Sequence, residues 1–375
     1  MAGLYVHFPF CKQKCHYCNF YSLASKKHQP EVISAIIDEI SLQKAYLEGE
    51  KLQTIYFGGG TPSLISATNI RKIIETAIEV FGITDDPEIT LEANPDDISG
   101  DWLRQLQETS VNRLSIGTQS FDDTDLDYLN RIHTGKQAFD SIELAQKFGF
   151  NNLSLDLIYG IPTLTDQKWA DNLRTVIKLD IPHISAYALT VETGTALNHF
   201  IRKGKQQPVD EELAAGHFEM LIEMLEDHNY QHYEISNFCM PEMYSKHNTS
   251  YWKGKKYLGV GPAAHSYDGR SRQWNIANLR KYMDAIANGL VAMEREGLSI
   301  VQRYNEYILT SLRTLWGADL AKVRFDFGDQ THNYLSKALV GPLKAGLVVP
   351  DGHFVKLTRK GKLFADRVAA DLFLV

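Results

Sequence analysis

The sequence predicts an α/β protein: a partial (β/α)6 barrel of the TIM type, followed by a small winged-helix-like α+β domain. Three observations carry that prediction. Short apolar runs alternate with stretches of helical periodicity from about residue 4 to residue 227. Polar and glycine-rich residues gather where those runs end, which in β/α barrels is the functional rim. After about Gly269 the alternation stops, and helices with a terminal hairpin replace it.

The first run, Leu4-Tyr5-Val6-His7, leads into a cysteine-bearing loop. From Glu31 to Leu47, Val32, Ile33, Ile36, Ile37 and Ile40 fall at helical spacing. Thr54 to Phe57 reads as a buried parallel strand and ends in Gly58-Gly59-Gly60-Thr61-Pro62. A helix is expected over about Ala67 to Phe81. The third strand, Ile89 to Glu92, stops at the turn signal Asn94-Pro95. A short helix over Trp102 to Glu108 precedes the fourth strand, Arg113 to Ile116, which runs into Gly117-Thr118-Gln119-Ser120. Helical segments at Asp123 to Leu129 and Lys136 to Phe148 lead to the fifth strand, Leu153 to Ile158. A helix at Trp169 to Lys178, a sixth strand at Ile184 to Leu189 and a long helix at Glu211 to Asp227 complete the series. Strand–helix–strand crossovers in one sheet make the strands parallel. Eight units close a barrel, and six leave it open.

The expected domain division is 1–268 for the barrel, 269–297 for a connecting segment and 298–375 for the C-terminal domain. In the last of these, helices are expected at Leu298 to Trp316 and Leu335 to Ala345. Leu347 to Leu357 reads as a hairpin turning at Asp351-Gly352, and a helix at Lys360 to Phe373 follows. A formal charge of −7 argues against a broad nucleic-acid footprint, even with a winged-helix-like domain present. No apolar run reaches the length of a membrane span. The first strand begins by Leu4, which leaves no place for a signal peptide. The expected location is the cytoplasm, whose reducing conditions suit free thiols.

Cys11, Cys15 and Cys18 supply three of the four cysteines within one short loop. Thiolates are soft ligands and select zinc, copper(I) or iron–sulfur clusters. A four-iron cluster held by three thiolates keeps one iron open to another ligand. A zinc site would need His7 or His16 as its fourth ligand, because Cys239 stands alone.

The spacing Cys11-x3-Cys15-x2-Cys18, with Tyr17 before the last cysteine, resembles the radical S-adenosylmethionine (SAM) superfamily signature. The resemblance implies a [4Fe-4S] cluster on these three cysteines, with exchangeable SAM on the open iron. It further implies a SAM site. Tyr5 and Tyr17 would pack on the cluster or adenine. Gly59, Gly60 and Thr61 would meet the amino group with their backbone. Glu92 and Asp156 would hold the ammonium or the ribose hydroxyls, and Gln119 and Arg131 the carboxylate and sugar. Ala188 would line the site at the end of the sixth strand.

Tyr5 to Cys11, Phe57 to Pro62 and Leu258 to Ser266 resemble the coproporphyrinogen III oxidase-like branch of that superfamily, over nearly the whole chain. Two departures separate the chain from the true oxygen-independent oxidases. Phe20 stands where they carry a further cysteine, and their N-terminal extension is missing before Leu4. His247-Asn248-Thr249-Ser250-Tyr251-Trp252 instead resembles the His-Asn-x-x-Tyr-Trp segment of the HemW-type haem chaperones. That resemblance implies haem as bound cargo, with His247 as axial-ligand candidate beside Tyr251 and Trp252, and His265 as a second candidate. The implied partners are haem or a porphyrin, a flavodoxin-type electron donor and a haem acceptor protein, with no nucleic acid. The function expected first is haem chaperoning. The alternatives are oxidative decarboxylation of coproporphyrinogen III and radical haem degradation. No residue is assigned a catalytic role.

Overall fold

The computed structural model describes residues 1–25 and 27–375. Strands β1 (Ala2–Phe8), β2 (Leu52–Gly59), β3 (Ile83–Ala93), β4 (Arg113–Gln119), β5 (Leu153–Tyr159) and β6 (His183–Ala188) pair in sequence order, all parallel. Between and after them run α1 (Gln29–Leu42), α2 (Ala67–Phe81), α3 (Gly100–Gln107), α4 (Asp123–Leu129), α5 (Gly135–Lys147), α6 (Asp166–Lys178), α7 (Ala196–Arg202) and α8 (Glu211–Glu226). The expected open barrel is therefore present. Helix starts follow ordinary capping chemistry: Ser66, Ser99, Thr134 and Thr165 each accept a backbone N–H of the first turn. The core is aliphatic, and Leu4, Val6, Ile55, Phe57, Leu91, Leu114, Leu155 and Ile184 are fully buried.

The sheet is longer than the six-strand expectation. After β7 (Gln231–Glu234), β8 (Asn237–Cys239) and α9 (Lys246–Trp252), β9 (Tyr257–Val260) adds a further parallel strand beside β1. Beyond it, β10 (His265–Tyr267), β11 (Ser271–Asn275) and β12 (Met293–Gly297) continue antiparallel. At the opposite edge β8 and β7 pair antiparallel on β6. Both edges of the parallel sheet are thus covered by short antiparallel strands, so among the described residues no long parallel edge is left open.

The segment 269–297, expected as a connector, carries β11, α10 (Leu279–Ala287) and β12. A buried carboxylate ties it to the barrel. Glu39 of α1 accepts from Gly261 N at 2.8 Å, Asn275 Nδ2 at 2.6 Å and Tyr282 Oη at 2.6 Å.

The C-terminal region has its own core around Tyr304, Ile308, Leu312, Val323, Leu335 and Val368. It consists of α11 (Ile300–Leu312), β13 (Ala318–Asp319), α12 (Leu320–Ala338), α13 (Val340–Lys344), β14 (Val348–Asp351), β15 (Phe354–Leu357), α14 (Arg359–Lys362) and α15 (Ala365–Asp371). The three strands form an antiparallel sheet in the order β13-β15-β14, with the expected hairpin at its edge. The helix expected at Leu335 to Ala345 is a break between two helices, and α12 begins much earlier, at Leu320. Gly328, at φ 88°, interrupts α12 and disguises its periodicity in the sequence. This region joins the barrel through the β7–β8 turn, where Ile235 N donates to Arg313 O at 3.0 Å and Leu315 N to Tyr233 O at 2.9 Å.

Candidate functional site: a cavity between the barrel rim and the C-terminal helices

A cavity of about 1280 Å³ opens over the C-terminal ends of the parallel strands and is closed on one side by α14 and α15. Pockets for one small ligand typically measure about 300–1,000 Å³, so this cavity lies above that range. Cys11, Cys15, Cys18, Tyr17, Gly59, Gly60, Thr61, Glu92, Gln119, Arg131, Asp156 and Ala188 all line it. Residues drawn from six strands and their loops therefore converge on one space, as the barrel topology requires.

The cysteine loop follows β1 and is anchored by backbone. Cys11 N donates to Leu23 O at 3.0 Å, and Gly60 N and Thr61 N donate to Phe8 O and Phe10 O, both at 2.7 Å. The three thiols are half-buried and face the cavity. Burial pushes the Cys11 and Cys18 thiols up. Arg131 Nη1 lies 3.3 Å from Cys15 Sγ and offsets negative charge there.

These donors fit an iron–sulfur cluster. Among the described residues, no three His, Cys, Asp or Glu side chains converge on a single ion. Both histidines that zinc would need are held elsewhere. His7 Nε2 meets Tyr21 O at 3.0 Å and its Nδ1 meets Tyr5 Oη at 3.3 Å. His16 Nδ1 meets Tyr128 O at 3.3 Å, and its ring packs edge-on against Phe200.

Next to the loop lies a polar groove. Gly59 has φ 107°, a conformation that favours glycine. Gly60 is glycine for a different reason: a Cβ there would stand 2.5 Å from Phe10 O and 2.8 Å from Phe8 O. Gln119 ends β4 at φ 66°, beyond a register shift in its pairing with β5. Such strain in a non-glycine residue clusters at functional positions. Arg131 is no surface arginine: its Nη2 donates to Asn94 Oδ1 and Gly117 O, both at 2.7 Å.

Glu92 accepts from Tyr56 Oη at 2.8 Å. Burial, and then the neighbouring Asp156, push Glu92 up to about 7. Burial pushes Asp156 up to about 6, with the Arg113 guanidinium opposing. Two carboxyls facing one cavity with raised affinity for protons are well disposed to meet a cationic ligand. An ammonium, a sulfonium, or a hydroxyl-rich sugar would supply the missing partners.

The remaining expected residues lie elsewhere. Tyr5 turns into the barrel interior and stacks on Tyr56, with ring centroids 6.1 Å apart. His247, Tyr251 and Trp252 belong to α9, which packs beneath the N-terminal ends of β1 and β2. Glu88 fixes the start of that helix by accepting from Lys246 N and His247 N, both at 2.9 Å. His247 is buried, its Nδ1 2.7 Å from Thr54 Oγ1 and its Nε2 2.7 Å from Tyr251 Oη. Its ring stacks on Tyr56 at 4.9 Å, and burial pushes it down to about 3. Both ring nitrogens are engaged, so the expected axial role has no free lone pair in this arrangement. Trp252 lies under the Arg313 guanidinium at 5.6 Å. His265 is exposed on β10 and stacks on Trp274 at 6.1 Å.

Sequence reading missed several residues of the cavity. Asn248, next to His247, is the member of its segment that reaches the space. Tyr56 and Asn94 also line it, and of these the sequence marks only Asn94, as a strand end before Pro95. Arg313, Lys362 and Arg367 come from the far end of the chain, and no local pattern signals their approach.

Comparison with known proteins agrees with this geometry. The family model described as the radical SAM superfamily matches residues 5–176. The protein named "Heme chaperone HemW" in Bacillus subtilis (strain 168) is 34% identical over 372 residues, covering 98% of each chain. The Escherichia coli (strain K12) protein of the same name is 31% identical, over 99% of this chain and 98% of its own. The solved structure of coproporphyrinogen III oxidase (HemN) from Escherichia coli superposes with a TM-score of 0.85, over 99% of this chain and 90% of that one. At 23% identity that likeness establishes the fold and leaves the substrate open. The full-length identities are the decisive finding: the chain belongs to the HemW family within the radical SAM superfamily.

Proposed function

We propose that the protein is a haem chaperone, which binds haem and passes it to an acceptor protein with the help of a [4Fe-4S] cluster and SAM. The observation that carries this reading is the 31–34% identity over the full length to "Heme chaperone HemW" proteins, together with a cavity above the usual size for one small ligand. Cys11, Cys15 and Cys18 would hold the cluster. Glu92, Asp156, Gln119 and Arg131, with the backbone of Gly59 to Thr61, would hold SAM. The cluster supplies one-electron chemistry when reduced, and a flavodoxin-type protein suits the donor role. The chain's own residues orient and shield. Arg131 ties the Cys15 thiol to the β4 end through Gly117 O, and the two carboxyls face the cavity, where they would meet the positive charge of SAM. Phe20, 64% exposed at the cavity, offers apolar surface where the oxidase resemblance would place a thiol. Among the described residues no helix is long and apolar enough to cross a membrane. We place the work of the protein in the cytoplasm, where free thiols persist.

The test is paired. Anaerobically reconstituted protein is titrated with haem, and separately incubated with coproporphyrinogen III, SAM and reductant. Saturable, stoichiometric haem binding without decarboxylated product supports the chaperone. Product formed over many turnovers overturns it in favour of the oxidase.

A further inference from the structure

Lys362 brings a cation to the cavity wall made by α14, opposite the cysteine loop in the chain's order. Its Nζ lies 2.8 Å from His232 Nδ1. His232 donates its Nε2–H to Ile235 O at 3.0 Å and stacks on Phe238 with centroids 4.1 Å apart. The ring is therefore held in place, and its Nδ1 is left as an acceptor. Burial pushes His232 down to about 3, which keeps the ring neutral. One ammonium N–H is taken by that ring, and an ammonium has three.

The Glu226 carboxylate attracts Lys362 only from beyond ion-pair distance. Among the described residues the lysine forms no ion pair, whereas Arg313 on the same wall pairs with Glu234 at 3.0 Å and Asp366 at 2.9 Å. Burial lowers Lys362 to about 8. Arg367, which follows on α15, also lines the cavity and forms no ion pair among the described residues. A partly desolvated ammonium with only a distant carboxylate is held at a cost that a ligand's anion would relieve, and the exposed Arg367 adds positive charge beside it. Around these cations Phe218, Ile235, Leu363 and Phe364 make apolar wall, and the one acid between them in the chain, Asp366, is paired with Arg313. An apolar wall carrying a few fixed cations suits a flat hydrophobic molecule with carboxylates at its margin.

We propose that Lys362, positioned by His232 and assisted by Arg367, is a carboxylate subsite of the cavity that receives a propionate of the bound tetrapyrrole. This rests on the haem reading above. A carboxylate could also come from SAM, and the experiment separates the two sources.

Haem, haem dimethyl ester and SAM are each titrated into reconstituted wild type, Lys362→Met and Lys362→Arg, and thermal unfolding is recorded for all three proteins. Wild type should bind haem about tenfold more tightly than the ester, a typical effect for a charge-assisted contact. Lys362→Met should lose that preference while binding the ester and SAM as wild type does. Lys362→Arg should keep most of it. The melting point of Lys362→Met should move little, because the relief of a partly desolvated charge is offset by His232 Nδ1 losing its donor. Equal haem affinity in wild type and Lys362→Met overturns the subsite while leaving the chaperone reading intact. Equal loss of haem and ester in Lys362→Met also overturns it, and selective loss of SAM reassigns the lysine to the SAM carboxylate. Failure of wild type to bind haem or the ester overturns the chaperone reading and the subsite with it.

Discussion

The two ends of the barrel treat polar side chains in opposite ways. At the C-terminal ends of the strands, thiols, carboxyls and a guanidinium face open space with part of their bonding capacity free. Arg131 Nε has no partner among the described residues, and Glu92 and Asp156 share one cavity. At the N-terminal ends, beneath β1 and β2, the start of α9 and its His247 are matched, while Thr249 Oγ1 and Trp252 Nε1 of the same helix are buried without a partner among the described residues. Glu88 caps the helix, and His247 is held on both nitrogens. Free bonding capacity that faces a cavity offers a place for ligands, whereas the fully engaged ring of His247 serves structure. Apart from Tyr5, the residues that resemble a SAM site fall at the first end. The His-Asn-x-x-Tyr-Trp segment falls at the second, and sends Asn248 to the cavity.

The largest effect expected is at the rim. Replacing Cys11, Cys15 or Cys18 by Ala should abolish the cluster's visible absorption after anaerobic reconstitution. The unfolding midpoint of the apoprotein should barely move, because these side chains are only half-buried. Retention of a full four-iron complement in any of the three variants would remove that cysteine from the ligand set.

Gly60→Val comes next. Its Cβ would meet the backbone of Phe8 and Phe10, which position the cysteine loop. The variant should therefore lose the cluster as well as SAM binding, as read by iron content and SAM titration. An intact cluster with SAM binding alone lost would show that the glycine faces ligand more than it supports the loop.

How much of this contrast is legible in the sequence follows from locality. Cys11, Cys15 and Cys18 share one loop, and the glycine run directly follows a strand, so spacing alone displays them. Glu92 and Gln119 fall where apolar runs end, and the barrel rule places such ends together. The orientation of His247 cannot be read that way. It depends on Thr54 and Glu88, which are far away in sequence and hold the ring and the helix start. The short antiparallel strands β10 to β12 and the kinked α12 carry mixed patterns, so the extended sheet and the helix at Leu320 stay hidden. Lys362 and Arg367 reach the cavity through tertiary packing alone.

A third, smaller effect tests the matched end. His247→Ala removes two buried hydrogen bonds and a ring stack, leaving Thr54 and Tyr251 short of partners. Unfolding should become easier by about 2–4 kcal/mol in a denaturant titration. Cluster content should persist, and the haem absorption bands should keep their positions, since no iron ligand is lost. A shift of those bands to a different ligation state would mean that α9 opens when haem binds, and the division between the two ends would fail.

The smallest effect expected is a pH dependence whose sign differs between the two ends. Glu92 has its affinity for protons raised, to about 7, by burial and by Asp156. An unfolded Glu titrates near about 4.3, so the folded protein holds a proton that the unfolded chain releases. Its contribution to stability is therefore lost as pH rises from about 4.3 through about 7. His247 runs the other way. It is pushed down to about 3, while an unfolded His titrates near about 6.5. Its contribution is present above about 6.5 and is lost as pH falls toward about 3. SAM carries positive charge at its sulfonium and amino group, so its affinity should rise several-fold between about pH 6 and pH 8 as Glu92 ionises. Glu92→Gln keeps the shape and removes the charge. It should flatten that rise at the weaker level and remove the stability loss on the alkaline side, while His247→Ala should leave the SAM profile unchanged. Equilibrium SAM titrations across that range, with denaturant unfolding of the apoproteins, read both quantities. A SAM profile that stays steep in Glu92→Gln would move the titrating group from Glu92 to Asp156, whose affinity for protons is raised to about 6 in the same cavity.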